Sequence, residues 1–203
     1  MRNGTIVLTS IAALAAGAHA QVVAIDEFIG EHSEGFENIG PIGPMPTGPA
    51  AILGGAGTVT DALANFLMIA ISVYSFPTDT NLYAYDGNLF GGSVTGWAVF
   101  EFETPVTQFG GFFATPDNAS GGSVVFYSDE GDILASQSIA LPLGEWTWFG
   151  WQSSVGIGRI EFFGNGDPSI ALGFDNLQIS YVPAPGAAAA LAVAGLCARR
   201  RRR

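Results

Sequence analysis

Phe100 and Phe102 alternate with Glu101 and Glu103, the period-two pattern of a strand with one wet face. Pro105 breaks this run, and Val106 to Phe113 resumes it, with Gly110 and Gly111 marking a bulge or a close backbone approach. Ser123 to Tyr127 reads as a strand, Asp129-Glu130-Gly131-Asp132 as a turn, and Ile133 to Gln137 as the returning strand of a hairpin. Further strands are expected at Glu145 to Trp151, Arg159 to Phe163 and Leu172 to Tyr181. Upstream, Val22 to Ile25 predicts a short first strand, and Met68 to Phe76, ended by Pro77, a longer one. Asp61 to Leu67 is open: Leu63, Phe66 and Leu67 have helical spacing with Asp61 as a cap, yet Thr58 to Thr60 and Phe66 to Tyr74 read equally as two strands around a polar break. Glu31 to Ala50 is rich in Gly and Pro, and its segment Gly40 to Pro46 is expected to form neither ladder nor helix. Short strands with glycine-rich turns, and no long helical pattern between them, indicate a sandwich or a closed sheet.

The two ends carry a different pattern. Arg2, an apolar run from Ile6 to Ala18, and the small residues Ala18 and Ala20 around His19 have the layout of a secretory signal peptide cut after residue 20. Signal peptidase is the partner this implies. At the other end, Val182-Pro183-Ala184-Pro185 is followed by small apolar residues from Ala187 to Ala198 and by Arg199 to Arg203. The apolar run is shorter than the roughly 17 to 25 residues of a membrane span, so it is expected to act as a short anchor or transient sorting helix with its arginines on the cytoplasmic side. The division is therefore 1–20 signal peptide, 21–181 β-sandwich domain and 182–203 sorting signal.

Charge follows the same division. All eighteen acidic residues lie between Asp26 and Asp175, where Arg159 is the only basic side chain besides His32, so the body carries −17. Such a body repels nucleic acid. The sole cysteine, Cys197, lies in the C-terminal apolar run, so no intrachain disulfide forms and the body has no thiolate chemistry. His32 is its only histidine, and no Gly-x-Ser-x-Gly elbow, Walker loop or dinucleotide fingerprint occurs. No catalytic residue is assigned, and the chain is read as not being an enzyme.

The tail of Val182-Pro183-Ala184-Pro185, short apolar helix and arginine cluster resembles the PEP-CTERM sorting signal of exported bacterial proteins, with Ala184 where the eponymous motif has glutamate. The resemblance implies processing by an exosortase, transient or retained membrane contact, and delivery to the cell envelope or beyond. The body, through Phe102 to Val106, Phe109 to Thr115, Val125 to Tyr127, Trp146 to Trp151, Arg159 to Glu161 and Phe174 to Leu177, resembles the β-rich domains that precede such tails. It implies an all-β, jelly-roll-like antiparallel β-sandwich between a signal peptide and a short C-terminal transmembrane or sorting helix. The leading expectation is a structural or adhesive protein of the envelope or extracellular matrix, sorted through its tail. A carbohydrate-binding module and a carboxylate-dependent glycan hydrolase are the alternatives.

Two constellations could carry chemistry. Trp146 and Trp148 share one face of a strand, while Thr147, Phe149 and Trp151 share the other. One face enters the core, and the other could offer Trp146, Trp148 or Trp151 to an extracellular polysaccharide. Asp175 shares its parity with Leu177, Ile179 and Tyr181, an apolar row in which a carboxylate needs a partner or a cation. Because jelly-roll binding domains often hold calcium between the N-terminal segment and the last strand, Glu34, Glu37, Asp175 and Asn176 are the candidate Ca2+ ligands. Asp129, Glu130 and Asp132, and Asn165-Gly166-Asp167, lack EF-hand spacing and read as solvated turns. Glu101 and Glu103, two apart on one face, read as a polar face.

Overall fold

The computed structural model describes residues 22–39, 43–45, 49–63, 67–75, 79–117, 122–164 and 171–181. The strands run β1 Val22–Ala24, β2 His32–Glu34, β3 Gly43–Met45, β4 Ala50–Ile52, β5 Gly57–Asp61, β6 Leu67–Ile71, β7 Val73–Tyr74, β8 Leu82–Tyr83, β9 Phe90–Ser93, β10 Trp97–Ala114, β11 Gly122–Tyr127, β12 Ile133–Ile139, β13 Thr147–Gly164 and β14 Leu172–Tyr181. Their ladders are antiparallel.

Two long strands make the sandwich. β10 and β13 each have 18 residues and pair along their length, but their registers slip between Glu101 and Val106 and again between Val106 and Gln108. The slip has a local cause, because Pro105 has no N–H to give to a ladder. Beyond it the ribbon changes neighbours. Before the slip, β10 lies between β5 and the second half of β13, which continues to β11 and β12. After it, β10 lies between the first half of β13, edged by β1, and β14. β14 in turn carries β9 and β2, and β9 leads to β6 and β3. We call the layer of β4, β5, β11 and β12 the first sheet and that of β1, β14, β9, β6 and β3 the second.

The core lies between them. Phe100 and Phe102 from the first sheet meet Phe109, Phe113, Trp151 and Phe174 from the second, all buried. Phe100 lies 5.3 Å from Phe109 and 5.2 Å from Phe174, ring centroid to ring centroid. Phe113 stacks on Phe162 at 4.6 Å. Each such pair adds about 0.5–1.5 kcal/mol beyond its buried area.

The sequence expectations meet this fold unevenly. The hairpin of β11 and β12 stands where it was expected. Asp61 to Leu67 takes the two-strand alternative, ending β5 and beginning β6, and Asp61 accepts bonds from Leu63 N, Ser93 Oγ, Thr95 N and Thr95 Oγ1 instead of capping a helix. Gly43–Met45 does join a ladder, with proline tolerated on an outer strand. The all-β antiparallel sandwich stands, and the expected transmembrane or sorting helix is no part of it. Among the described residues no helix is long and apolar enough to cross a membrane, and the helix they contain is the 3-10 turn Leu53–Gly55. The signal peptide at 1–20 and the tail at 182–203, with Val182, Pro183, Ala184 and Pro185, lie outside the described residues.

Candidate functional site

Strand parity on the second sheet sends Phe109 and Phe113 inward and Gly110 and Phe112 outward. On β13 it sends Phe149 and Trp151 inward and Trp148 and Gly150 outward. The three sequence-nominated tryptophans therefore separate. Trp151 is 2% exposed, packs in the core, and donates its indole N–H to Gln137 Oε1 at 3.0 Å. It is corrected from a stacking candidate to a core residue. Trp146 and Trp148 are half-buried on the outer face.

That face carries a row of rings. Phe28 meets Trp148 edge-on at 5.9 Å, Trp148 meets Phe112 at 5.4 Å, and Tyr85 stacks on Phe112 at 3.6 Å with 15° between planes. Trp146 stands 6.4 Å from Tyr85 and 5.5 Å from Phe90. Tyr83 and Tyr85 are 61% and 45% exposed, which leaves ring surface facing solvent. Glycine makes the close approach possible: a Cβ on Gly110 would sit 2.6 Å from Trp148 Cζ2, and one on Gly150 2.7 Å from Trp148 Nε1. The indole therefore lies down on two glycines. Its N–H donates to Ile25 O at 3.4 Å, beside an open depression lined by Ala24, Ile25 and Asp26.

The other end of the row is built by the β7–β8 hairpin and the loop after it. Leu82 packs with Ile71, Tyr74, Phe90, Ala114 and Ala171 as a small second core on this outer face. Trp146 packs against that cluster and donates its N–H to Tyr83 O at 2.9 Å. Two carboxylates hold the loop from below. Asp175 Oδ2 accepts from Tyr85 N at 3.0 Å and Asp86 N at 3.4 Å, and Glu37 Oε1 accepts from Asn88 N at 2.6 Å and Leu89 N at 2.8 Å. A Cβ on Gly87 would overlap the Glu37 carboxylate.

Asp175 is fully buried, but not among Leu177 and Ile179 as parity predicted. Asn176 takes a left-handed φ of 46°, and the β10–β14 register shifts between Gly110 and Phe112. The extra residue puts Phe174, Leu177 and Ile179 all in the core and leaves Asp175 on the outer side under the loop. Burial pushes its carboxyl up from 3.8 to about 6, against the lowering pull of the Asn176, Asp86 and Tyr85 amides, while nearby Asp86 adds to the rise. The Asn88 amide first, then that of Leu89, holds Glu37 below the ordinary glutamate value.

The four residues expected to bind calcium are divided among separate duties. Glu34 accepts from Phe36 N and Leu53 N, two residues at positive φ, and Glu37 and Asp175 each accept from the loop after β8. Asn176 forms the bulge. Among the described residues no group of three or more His, Cys, Asp or Glu is placed to hold a metal ion. Glu101 faces the exterior of the first sheet opposite Arg159, away from the aromatic row.

Sequence reasoning missed Tyr83, Tyr85, Phe28 and Phe112. For the tyrosines the signal was present: Leu82 and Ala84 alternate with Tyr83 and Tyr85 ahead of an Asp-Gly turn.

No family model and no curated protein matches the chain. Among solved structures, the chain is similar to a cleaved adhesin domain of Lys-gingipain from Porphyromonas gingivalis, at 15% identity, covering 72% of this chain and 97% of that one, with a TM-score of 0.46. It is similar to a DUF4465 family protein from Bacteroides caccae, at 12% identity over 84% and 97% of the two chains, TM-score 0.44. It is also similar to the CBM22-1 xylan-binding domain of a Paenibacillus barcinonensis protein, at 12% identity over 78% and 100%, TM-score 0.39. Likeness at this level carries no functional weight, so the reading rests on the aromatic face. That face, and not the tail, which lies outside the described residues, is what the structure offers for a function, and it corrects the expectation of a structural or adhesive body. The carbohydrate-binding alternative fits better.

Proposed function

We propose that this chain is a non-catalytic carbohydrate-binding protein that acts outside the cytoplasm, holding polysaccharide on the outer face of its second sheet. The observation that supports this is the continuous row of Phe28, Trp148, Phe112, Tyr85 and Trp146, flanked by exposed Tyr83. Trp148, lying on its two glycines, and Tyr85, stacked over the buried Phe112, offer apolar ring surface to the C–H faces of sugars, with Phe28 and Trp146 turned edge-on beside them. Asn81, Asp86, Asn88 and Glu145, all exposed beside the rings, supply donors and acceptors for hydroxyls. Such a face needs no deep pocket, because a polymer gains from many shallow contacts along its length.

Native gel electrophoresis with polysaccharide cast into the gel tests this. The full chain is expected to be retarded, and the Trp148→Ala and Tyr85→Ala variants to run as in a gel without polymer. Retardation unaffected by both substitutions, with the near-ultraviolet circular dichroism intact, would move the site elsewhere.

A further inference from the structure

Resting on the carbohydrate reading of the aromatic row, we propose that its ligand is an uncharged polysaccharide and that uronate polymers are rejected by the site's own charge. The inference comes from which charges stand beside the rings. Asp26 and Glu27 are exposed next to Phe28, Asp86 is exposed next to Tyr85, and Glu145 is exposed next to Trp146. Glu37 is exposed and bonded to the backbone at Asn88 and Leu89. Thus both ends of the row carry exposed carboxylates: Glu27, Asp86 and Glu145 each adjoin a ring residue in sequence, about 3.8 Å from it Cα to Cα, Asp26 stands two residues before Phe28, and Glu37 holds the loop that carries Tyr85.

Among the described residues no cation answers them. Arg159, the only lysine or arginine from residue 22 to residue 181, belongs to the first sheet. Its guanidinium is engaged with Glu161 at 3.1 Å and lies over the Tyr127 ring at 4.0 Å. His32 stands edge-on to Tyr181 at the end of β14, away from the rings. Among the described residues, a glycan lying along the row therefore meets aromatic surface, carboxylates, carboxamides and backbone, and no free cation that neutralises an anion.

For a neutral glycan the carboxylates are useful, since an ionised carboxylate accepts two hydroxyl donors at once and charge-assisted hydrogen bonds are stronger than neutral ones. For a uronate polymer each carboxylate is a like charge within about a Debye length. Several such contacts in a water-exposed setting weaken binding by roughly tenfold or more at low salt, and by much less at high salt.

The experiment is affinity electrophoresis and calorimetry of the full chain with galactomannan, hydroxyethyl cellulose and arabinoxylan as neutral probes and polygalacturonate as the uronate probe. Each is run at about 20 mM and about 300 mM salt, where screening differs strongly. At least one neutral polymer is expected to bind with little salt dependence. Polygalacturonate is expected to bind at least tenfold more weakly at low salt, and to recover part of the difference at high salt. The Asp26→Asn, Asp86→Asn, Glu145→Gln triple variant is expected to narrow the gap. If polygalacturonate binds as well as the neutral polymers at low salt, and Trp148→Ala abolishes both, the charge inference is overturned and the aromatic site stands. If no probe binds, or Trp148→Ala changes nothing, the aromatic site itself fails and takes this inference with it.

Discussion

Replacing Asp175 with asparagine tests how the binding loop is held. The Asp175 side chain has no solvent exposure and accepts from three backbone amides, those of Tyr85, Asp86 and Asn176. Burial still dominates, raising its pKa from 3.8 to about 6. A carboxyl that holds its proton more tightly folded than unfolded contributes stability that is complete below the unfolded pKa. That contribution is lost as pH rises through the folded one. The rise from 3.8 to about 6 corresponds to about 3 kcal/mol, which screening by water at the exposed loop residues above it reduces to about 2 kcal/mol. The stability of the native protein minus that of Asp175→Asn is therefore expected to fall by about 2 kcal/mol between pH 4 and pH 7. The variant has no such proton to lose. Urea unfolding followed by tryptophan fluorescence at half-unit pH steps measures this. A difference that stays flat across the window, or that rises with pH, would refute the argument that desolvation outweighs the amides.

Other substitutions separate the site from the scaffold. Asp175→Ala leaves three part-buried amides without their acceptor, at about 1–3 kcal/mol each when uncompensated, and should lower both urea midpoint and polysaccharide binding. Trp151→Ala removes a core ring and is expected to cost about 3–5 kcal/mol, whereas Trp148→Ala should cost far less in the same denaturation assay while removing polysaccharide retention. Gly110→Ala drives a Cβ to 2.6 Å from the Trp148 ring. It is expected to cost about 1–3 kcal/mol and to weaken binding by displacing that indole, both readable by calorimetry.

The fold was legible wherever one strand face is wet. Phe100 and Phe102 between Glu101 and Glu103 announced their strand, and the Asp129-Glu130-Gly131-Asp132 turn announced the β11–β12 hairpin. Two features were not legible, for the same reason. Pro105 reads as a break, yet β10 passes through it, because the missing N–H falls where the ribbon leaves one sheet for the other. Asp175 reads as facing the apolar row of Leu177 and Ile179, yet one left-handed residue at Asn176 reverses the parity beyond it. Alternation holds only until a bulge, and a bulge at a non-glycine residue leaves no mark in composition. The tryptophans were half legible: parity separated Trp148 from Trp151, but which side was the core depended on partners distant in sequence. Phe28 and Tyr85 joined the row through tertiary contacts with Trp148 and Phe112 that no local pattern encodes.

The chain has four tryptophans, and they give the account its most direct test. Trp146 and Trp148 lie on the proposed face, Trp151 in the core, and Trp97 beside Phe163 on the far side of the first sheet, 4.8 Å ring to ring. The four indole N–H signals of the isotope-labelled protein are followed in a proton–nitrogen correlation spectrum while a neutral oligosaccharide is added. Binding at the aromatic row moves the Trp146 and Trp148 signals in a saturable way and leaves Trp97 and Trp151 in place. Movement confined to Trp97, or saturable binding that moves neither Trp146 nor Trp148, would contradict it.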